Sequence, residues 1–356
     1  MIETIDSDTV KPAHSPRRRA ARRVLTALAV VGALLAAVAV TVVVGHTYDL
    51  DERRVAIPGP AGELDGVLAL PPGTTRPVGL VVFVHGDGPV DATSDGFYRP
   101  LWEAFARAGY ASLSWSKPGV GASDGNWLDQ SMHDRALEVG AALDWARRQD
   151  VIDPERIGLW GASQAGWVLP EVAATRDDVR FVIAVAPAIN WLRQGRFNLL
   201  AELDHDGAST DERARAVAAS DTTRRLLRAG ATHAEYLAAH RGPEPMSAAR
   251  WGFVSRNYTA DATADLVALG VRDIPVLLVL GDEDRHVDVD ETEATYRALL
   301  GDRVTVACFA GAAHSLARSW VEDDALRGIV TAVLAPRQVF VPGFLDVQRA
   351  FLAALP

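Results

Sequence analysis

The 356-residue sequence predicts an α/β protein with a mostly parallel, eight-stranded sheet that is covered by helices on both faces. Short apolar runs alternate with longer amphipathic segments between residues 79 and 186, a pattern typical of parallel strands joined by crossover helices. Three polar residues, Ser163, Asp284 and His314, each come shortly after an apolar run. Because ligands bind at the carboxyl ends of parallel strands, we expect the three to share one edge of the sheet.

The predicted elements begin with two runs of alternating apolar and polar residues on either side of Pro58-Gly-Pro60. This pattern predicts an antiparallel hairpin at an edge of the sheet. The predicted strands are residues 53–58, 63–70, 79–84, 110–115, 156–160, 181–186, 275–280 and 303–309. The predicted helices outside the long insertion are residues 98–108, 130–148 and 164–174, and segments near 315–334 and 344–355.

The alternation of strand and helix stops over residues 188–274. A structureless segment of this length is improbable inside a compact domain, so we expect an inserted helical cap. Such caps cover the mouth of an active site and determine substrate size, whereas the alternative is an insertion remote from the site. The helix signals are capping boxes at Ser209 with Glu212 and at Thr232 with Glu235, and a third helix is predicted for residues 247–257.

The N-terminal region contains an uncharged apolar segment, residues 24–45, which is long enough to cross a bilayer. Five arginines precede it, and acidic residues follow it. By the positive-inside rule we expect a cytoplasmic basic tail (1–23), a transmembrane signal anchor (24–45), a linker (46–52) and an extracytoplasmic catalytic domain (53–356). The alternatives are a cleaved signal peptide, with a small-residue site at Ala37-Val-Ala39 and a secreted product, and a twin-arginine signal at Arg22-Arg23.

Composition limits the classes of partner. The net charge is −10, and the first 45 residues carry six Lys and Arg against three acidic residues, so the remainder of the chain is more acidic than the whole. This acidity argues against nucleic acid as a partner. The single cysteine, Cys308, lies in an apolar strand pattern, which predicts a buried core thiol and excludes an internal disulfide.

The segment 156–167 combines an apolar run, a turn of small residues with Ser163 at its apex, and a helix-forming stretch. This is the sequence form of a nucleophile elbow, in which a sharp strand-to-helix turn exposes a serine hydroxyl to a base and to substrate. Gly161 stands two residues before the serine, as the pattern requires. The second glycine position holds Ala165, and Gly166 follows it.

The run at residues 80–84 ends in His85-Gly-Asp-Gly-Pro89, a glycine-rich turn of the kind that contributes a backbone N–H to an oxyanion hole. We expect this donor at Asp87 and the second donor at Gln164, the residue after the nucleophile. An acid and then a histidine follow the serine along the chain, which is the order of one known class of Ser-acid-His triad.

With these motifs, residues 53–335 resemble the α/β-hydrolase superfamily, and in detail its esterase, serine-aminopeptidase-like and prolyl-oligopeptidase-like members. In those proteins an HG turn follows the third strand, a YDKRGVG-type turn the fourth, and a GxSQGGW-type elbow the fifth. The second turn is here Trp115-Ser-Lys-Pro-Gly-Val-Gly121, with Ser116 and Pro118 where Asp and Arg often stand.

The resemblance implies an α/β-hydrolase fold with Ser163 as nucleophile, His314 as general base and then acid, and Asp284 as the residue that orients the imidazole. Relatives place this acid three residues after the glycine that ends the strand, which favours Asp284 over its alternatives Asp282 and Asp288. Two further histidines receive other roles, His85 in shaping the oxyanion turn and His286 as a loop residue or part of the mouth.

The expected function is cleavage of carboxylic esters with small or medium acyl groups, through an acyl-enzyme. The alternatives are an aminopeptidase or acyl-peptidase of the same fold, acting on short peptides, and a non-catalytic binding protein on this fold. We expect Trp191 and Trp251 to line the substrate pocket. No metal or other cofactor is expected, because the histidines lack HExxH spacing and Gly119-Val-Gly121 lacks a third glycine. The oligomeric state stays open.

Overall fold

A computed structural model describes residues 16–242 and 244–355, with side chains omitted for residues 16–22 and 24. Most of the predicted basic tail, residues 1–15, lies outside the described residues. The eight predicted strands form one sheet in the order β1-β2-β4-β3-β5-β6-β7-β8. The strands are β1 Asp51–Gly59, β2 Gly62–Leu70, β3 Val78–Val84, β4 Tyr110–Trp115, β5 Ile152–Ala162, β6 Val182–Val185, β7 Val276–Gly281 and β8 Val304–Phe309.

The sheet is antiparallel at one end and parallel elsewhere. β1 and β2 form the predicted hairpin at the edge, and β2 joins β4 in an antiparallel pair. All the pairs from β4 to β8 are parallel. The predicted α/β-hydrolase architecture is therefore confirmed, and the carboxyl ends of β3, β5, β7 and β8 meet at the same edge.

Helices cover both faces of the sheet. Leu80 and Val82 of β3 pack into one hydrophobic layer, and Val81 and Phe83 pack into the other, as the period of a strand requires. The described helices are α1 Pro16–Gly45, α2 Arg99–Ala106, α3 Met132–Ala146, α4 Leu169–Thr175, α5 Trp191–His205, α6 Thr210–Arg228, α7 His233–Ala239, α8 Ala248–Asn257, α9 Thr263–Gly270, α10 Val289–Leu300, α11 Ser319–Asp323, α12 Ala325–Leu334 and α13 Phe344–Ala354.

The insertion after β6 is helical, and it contains α5 to α9. Both capping boxes are present, at the starts of α6 and α7, and the third predicted helix is α8. The two other helices of the insertion, α5 and α9, were not predicted. α5 starts from Asn190, whose side chain accepts the N–H of Arg193, while the N-cap residue of α9 is Ala262, which has no side-chain oxygen.

The N-terminal helix α1 includes a stretch, Leu25–Gly45, that is long and apolar enough to cross a membrane. Its apolar side chains are exposed rather than packed on the domain. The helix meets the domain at its carboxyl end, where Arg337 donates to the carbonyl of Gly45 at 2.8 Å. α1 is therefore a candidate membrane span attached at a defined point of the fold.

Two local predictions need correction. Cys308 is exposed rather than buried, because β8 is the outermost strand and carries a neighbour on one side. The predicted helix over 315–334 begins at Ser319 and is divided at Asp324, whose side chain caps α12. Residues before Ser319 form isolated bridges instead, including one between Ala317 and Phe340.

Candidate active site

The turn after β5 places Ser163 in a left-handed backbone conformation, with φ of 57°. This conformation is strained for a non-glycine residue, and such strain is concentrated at functional sites. A Cβ at Gly161 would lie 2.6 Å from the Ala165 Cβ, and a Cβ at Gly166 would lie 2.3 Å from the carbonyl oxygen of Ala188. Of the two residues 165 and 166, the close approach that excludes a side chain therefore falls at Gly166, whereas the methyl group of Ala165 is accommodated and fully buried.

Asp284 and His314 form a hydrogen-bonded pair. The His314 Nδ1–H donates to Asp284 Oδ2 at 2.8 Å, and the Asp284 side chain is almost completely buried. The other carboxylate oxygen accepts the backbone N–H groups of His286 and Val287, at 2.7 and 3.0 Å. These bonds hold the carboxylate in place and leave the Nε2 of His314 available as a base.

The two alternative acids have structural contacts. Asp282 Oδ1 accepts the N–H of Gly311 at 2.7 Å and closes the loop that precedes His314. Asp288 caps α10 by accepting the N–H of Glu291 at 3.0 Å. Within the described residues, the imidazole of His314 is bonded by Asp284 and by neither of these two carboxylates.

His286 packs on His314, with ring centroids 4.7 Å apart and the planes 27° from parallel. Its Nε2 lies 4.0 Å from Glu202 Oε1, on cap helix α5. Burial, and then the nearby His314, lower the pKa of His286 below its ordinary value. The imidazole of His286 therefore covers one face of the His314 ring.

The oxyanion turn is anchored through His85, which is buried. Its Nε2–H donates to the carbonyl of Trp115, and its Nδ1 accepts the hydroxyl of Tyr98 at 3.0 Å. A carbonyl can only accept, so this pattern requires the neutral Nε2–H tautomer. Burial lowers the pKa of His85 to about 3, which keeps the ring neutral.

Two buried cations hold the same turn. Lys117 Nζ donates to the carbonyl of Gly86, and Arg135 donates to the carbonyl of His85 and to Gln164 Oε1. Burial lowers the pKa of both cationic groups. The carbonyl of Gly86 belongs to the same peptide unit as the Asp87 N–H, so a donor on this carbonyl makes that N–H a stronger donor.

Sequence reasoning missed both cations. Lys117 lies in the WSKPGVG turn that the resemblance had marked, so its position offered a signal. Arg135 stands among the amphipathic positions of α3, and no local pattern distinguishes it from a surface arginine.

The Asp87 side chain links the turn to the cap. Arg250 of α8 binds its two oxygens in a bidentate ion pair, at 2.9 and 2.5 Å, and Gln164 Nε2–H donates to Oδ1 at 3.0 Å. Burial raises the pKa of Asp87, but the hydrogen bonds and charge of Arg250, the Gly88 N–H and the charge of Lys117 together hold the pKa below the usual range. The cap therefore contacts the residue whose backbone N–H is one of the two predicted oxyanion donors.

The two tryptophans predicted to line the pocket have different surroundings. Trp191 stacks on Trp167 of the elbow segment, with centroids 5.0 Å apart. Trp251 is buried inside the cap, stacks on Tyr236 at 4.4 Å and donates its indole N–H to Ala231. Trp191 thus lies close to the elbow, whereas Trp251 packs in the interior of the cap.

Ser163 lies beside the oxyanion turn, since a Cβ at Gly86 would be 4.0 Å from its Oγ. No hydrogen bond joins its hydroxyl to His314 among the described residues. Such bonds are often long before substrate binds. Among the residues that the structure describes, no group of three or more His, Cys, Asp or Glu side chains is arranged to hold a metal ion.

Comparison with known proteins determines the family. The family model described as serine aminopeptidase, S33, matches residues 75–319, which is more than half of the chain. The chain belongs to the serine aminopeptidase (S33) family. With the sheet described above, this makes it a hydrolase of the α/β-hydrolase fold.

Curated relatives of this S33 family member match shorter segments. The chain is 32% identical over 81 residues to an uncharacterized 31.7 kDa protein of the traX-finO intergenic region of Escherichia coli, covering 23% of this chain and 28% of the relative. It is 28% identical over 118 residues to the thiohydrolase apmlB of Arthrinium phaeospermum, covering 31% and 38%. The chain thus spans between 28% and 38% of the length of these relatives.

Solved structures resemble the S33 family member over most of its length. A hypothetical protein from Pseudomonas aeruginosa has a TM-score of 0.56 at 16% identity, covering 87% of this chain and 95% of that one. Est1E from Butyrivibrio proteoclasticus, solved with ferulic acid bound, has a TM-score of 0.51 at 18% identity, covering 79% and 96%. At these identities the likeness concerns the fold alone.

Proposed function

We propose that this hydrolase cleaves carboxylic esters of small or medium acyl groups through a covalent intermediate on Ser163. The observation that carries the proposal is the His314–Asp284 hydrogen bond, which leaves the Nε2 of His314 free at the edge of the sheet that also carries Ser163. The strained conformation of Ser163 supports the same assignment.

In the proposed reaction, His314 Nε2 takes the proton of Ser163 Oγ as the oxygen attacks the ester carbonyl carbon. The N–H groups of Asp87 and Gln164 donate to the resulting oxyanion. Collapse breaks the bond to the alcohol, which leaves with the proton from His314. Water then repeats the sequence, and acid and free enzyme are released.

The surroundings of the acidic groups favour an ester over a free-amine peptide. An aminopeptidase needs a carboxylate for the substrate amine, and the three acidic residues at the end of cap helix α5 are candidates for this role. Glu202 lies 3.5 Å from Arg285, Asp204 pairs with Arg213, and Asp206 caps the end of α5. The first two already have cationic partners, while the Trp167–Trp191 stack supplies apolar surface near the elbow.

We also propose that α1 remains as a signal anchor, with the catalytic domain outside the cytoplasm. Its apolar length and the arginines before it support this topology.

The nucleophile is tested with a fluorophosphonate probe and Ser163→Ala, with Ser220→Ala in α6 as a control. We expect Ser163→Ala to lose labelling and on the order of 10⁴ to 10⁶ of the turnover, because removing one member disables the whole triad. The control should label and turn over like the wild type. Wild-type labelling of Ser163→Ala would place the nucleophile elsewhere.

Substrate class is tested with p-nitrophenyl esters of short acids, matched thioesters and aminoacyl p-nitroanilides. We expect the oxygen esters to be cleaved much faster than the anilides. Faster cleavage of the free-amine anilides would favour the peptidase alternative.

A further inference from the structure

Helix α12 turns its apolar face away from the protein. Its exposed apolar residues follow the i, i+3, i+4, i+7 spacing that places side chains on one face of a helix. Gly328, on the opposite face, is buried against Val321. The members of this stripe are between 45% and 74% exposed and are Leu326, Ile329, Val330 and Val333. Helices normally bury such a stripe, so its exposure indicates an interaction surface.

The stripe ends where α1 joins the domain. His46 Nε2 lies 3.0 Å from the carbonyl oxygen of Val333, the last residue of the stripe. A shallow cavity between the helices is lined by Val40, Val44 and Leu334. The apolar surface of α12 is therefore continuous with the exposed apolar surface of α1.

Aromatic and arginine side chains flank this junction. Arg337 lies over the ring of Tyr48, 4.4 Å from its centroid, and Arg327 lies over Trp320, at 3.9 Å. Tyr, Trp and Arg combine an apolar body with a polar tip, and they are favoured at the boundary between lipid and water.

We propose that α12 lies in the interfacial region of the membrane leaflet from which α1 emerges, with its stripe against the acyl chains. The proposal rests on the proposed span of α1. Continuity with α1 favours lipid over a second copy of the chain, because any occupant that covers Val333 must sit where the lipid around α1 would be. The helix thus docks the catalytic domain on the bilayer as a second contact beside the span.

The docked helix is tied to both loops of the site. α11 precedes α12 and carries two carboxylates that bind these loops. Glu322 accepts a hydrogen bond from the hydroxyl of Ser315 at 2.7 Å, and Asp323 accepts one from Arg285 at 3.1 Å. Ser315 and Arg285 are the neighbours of His314 and Asp284 in the chain. Docking of α12 therefore orients the mouth of the site relative to the membrane surface.

The test uses full-length protein carrying Cys308→Ser, reconstituted in phosphatidylcholine and phosphatidylglycerol nanodiscs. Single cysteines carry an environment-sensitive fluorophore. Leu326→Cys probes the stripe, and Val271→Cys, at a residue that is 82% exposed on the catalytic domain, is the matched control. Leu35→Cys reports the span of α1.

We expect nitroxide lipids to quench the label at Leu326→Cys several times more strongly than the label at Val271→Cys, and aqueous iodide to show the reverse order. Equal quenching of the two labels, with Leu35→Cys quenched by lipid, would overturn the docking of α12 and leave the span intact. Protection of Leu326→Cys from both quenchers would overturn it in favour of a second copy. Loss of lipid quenching at Leu35→Cys would overturn the span and the docking together.

Discussion

At the residue scale, the elbow shows how a departure from a motif is accommodated. Ala165 occupies the place of the second glycine, and it is buried without conflict. The steric requirement falls one residue later, because Gly166 passes directly under the carbonyl of Ala188. The backbone carbonyl of Ser163 also accepts the N–H of Ala188, which helps to hold the strained turn.

Two neighbouring carboxylates allow a matched test of the acid. We expect Asp284→Asn to lower kcat by about 10⁴, because the amide oxygen would stay on the N–H groups of His286 and Val287 and the amide NH₂ would face His314 Nδ1, which moves the imidazole proton to Nε2. Asp282→Asn should have a small effect, since an amide oxygen can still accept the Gly311 N–H. Steady-state kinetics on one ester compares the two variants. The opposite ranking would move the acid to Asp282.

Burial of His85 predicts a pH dependence of stability. The pKa of His85 is lowered to about 3, against 6.5 in the unfolded chain. Between these values the unfolded state binds a proton that the native state does not. Stability from this group is therefore complete above pH 6.5, and it is lost at up to about 1.4 kcal/mol per pH unit as the pH falls toward 3.

Urea unfolding in detergent at pH 6, 5 and 4 checks this expectation. His85→Asn should be less stable throughout, but its free energy of unfolding should fall less steeply with pH than that of the wild type. Other groups titrate in both proteins and cancel in the comparison. Equal slopes would show that His85 does not carry the effect.

At the element scale, the cap and the oxyanion turn are connected through α8. The Arg250–Asp87 pair is partly exposed, so we expect it to contribute little to stability. Its position matters more, because Asp87 is also held by Gln164, the neighbour of the predicted nucleophile. The pair thus couples the placement of a cap helix to that of both predicted oxyanion donors.

We expect Arg250→Met to lower kcat/KM by about 10-fold to 100-fold. Without the ion pair, Asp87 and Gln164 would shift slightly, and small displacements of catalytic groups have effects of this size. Thermal unfolding should change little. Arg256→Met, on the same helix, is the control, because Arg256 donates to the carbonyl of Leu128, away from the turn. Similar kinetic losses in both variants would indicate a general disturbance of α8 rather than of the oxyanion turn.

At the scale of the whole molecule, the apolar helix α1 and the acidic remainder of the chain meet at a small junction near Gly45. Arg337 joins the two parts, since it donates to the carbonyls of Gly45 and Thr47 and pairs with Glu103 of α2. The described side chains of α1 contribute no group to the candidate site, which lies at the carboxyl ends of the central strands.

The proposed topology predicts that protease added to intact cells cleaves the catalytic domain. In that topology, the positive charge before α1 keeps the segment that precedes the helix on the cytoplasmic side, so the domain lies outside. Immunoblotting of the domain gives the readout, and a cytoplasmic marker protein that stays intact is the control. If the domain were cleaved only after the cells are permeabilised, the orientation would be the opposite of the one proposed.

Much of the fold was predictable because its signals are local. Capping boxes at Ser209 and Thr232, the hairpin at Pro58 and the turn of small residues around Ser163 each depend on short-range chemistry. α9 was missed because its N-cap position holds Ala262, which has no side-chain oxygen to mark the start of a helix. The assignment of Cys308 failed because strand periodicity does not reveal which strand is outermost.

The sequence by itself determined the class of fold and the apolar N-terminal segment, since these follow from periodicity and composition, and its resemblance to a known superfamily indicated the residues proposed for catalysis. Tertiary structure alone decided which groups surround them. Lys117 and Arg135 reach the turn at His85 because the fold brings the end of β4 and the start of α3 next to the end of β3. His286 covers His314 because the neighbouring strands β7 and β8 end side by side. Periodicity also defined the apolar stripe of α12, but a stripe that packs on a core and one that faces lipid have the same spacing. Its direction depends on how the helix is attached to its neighbours.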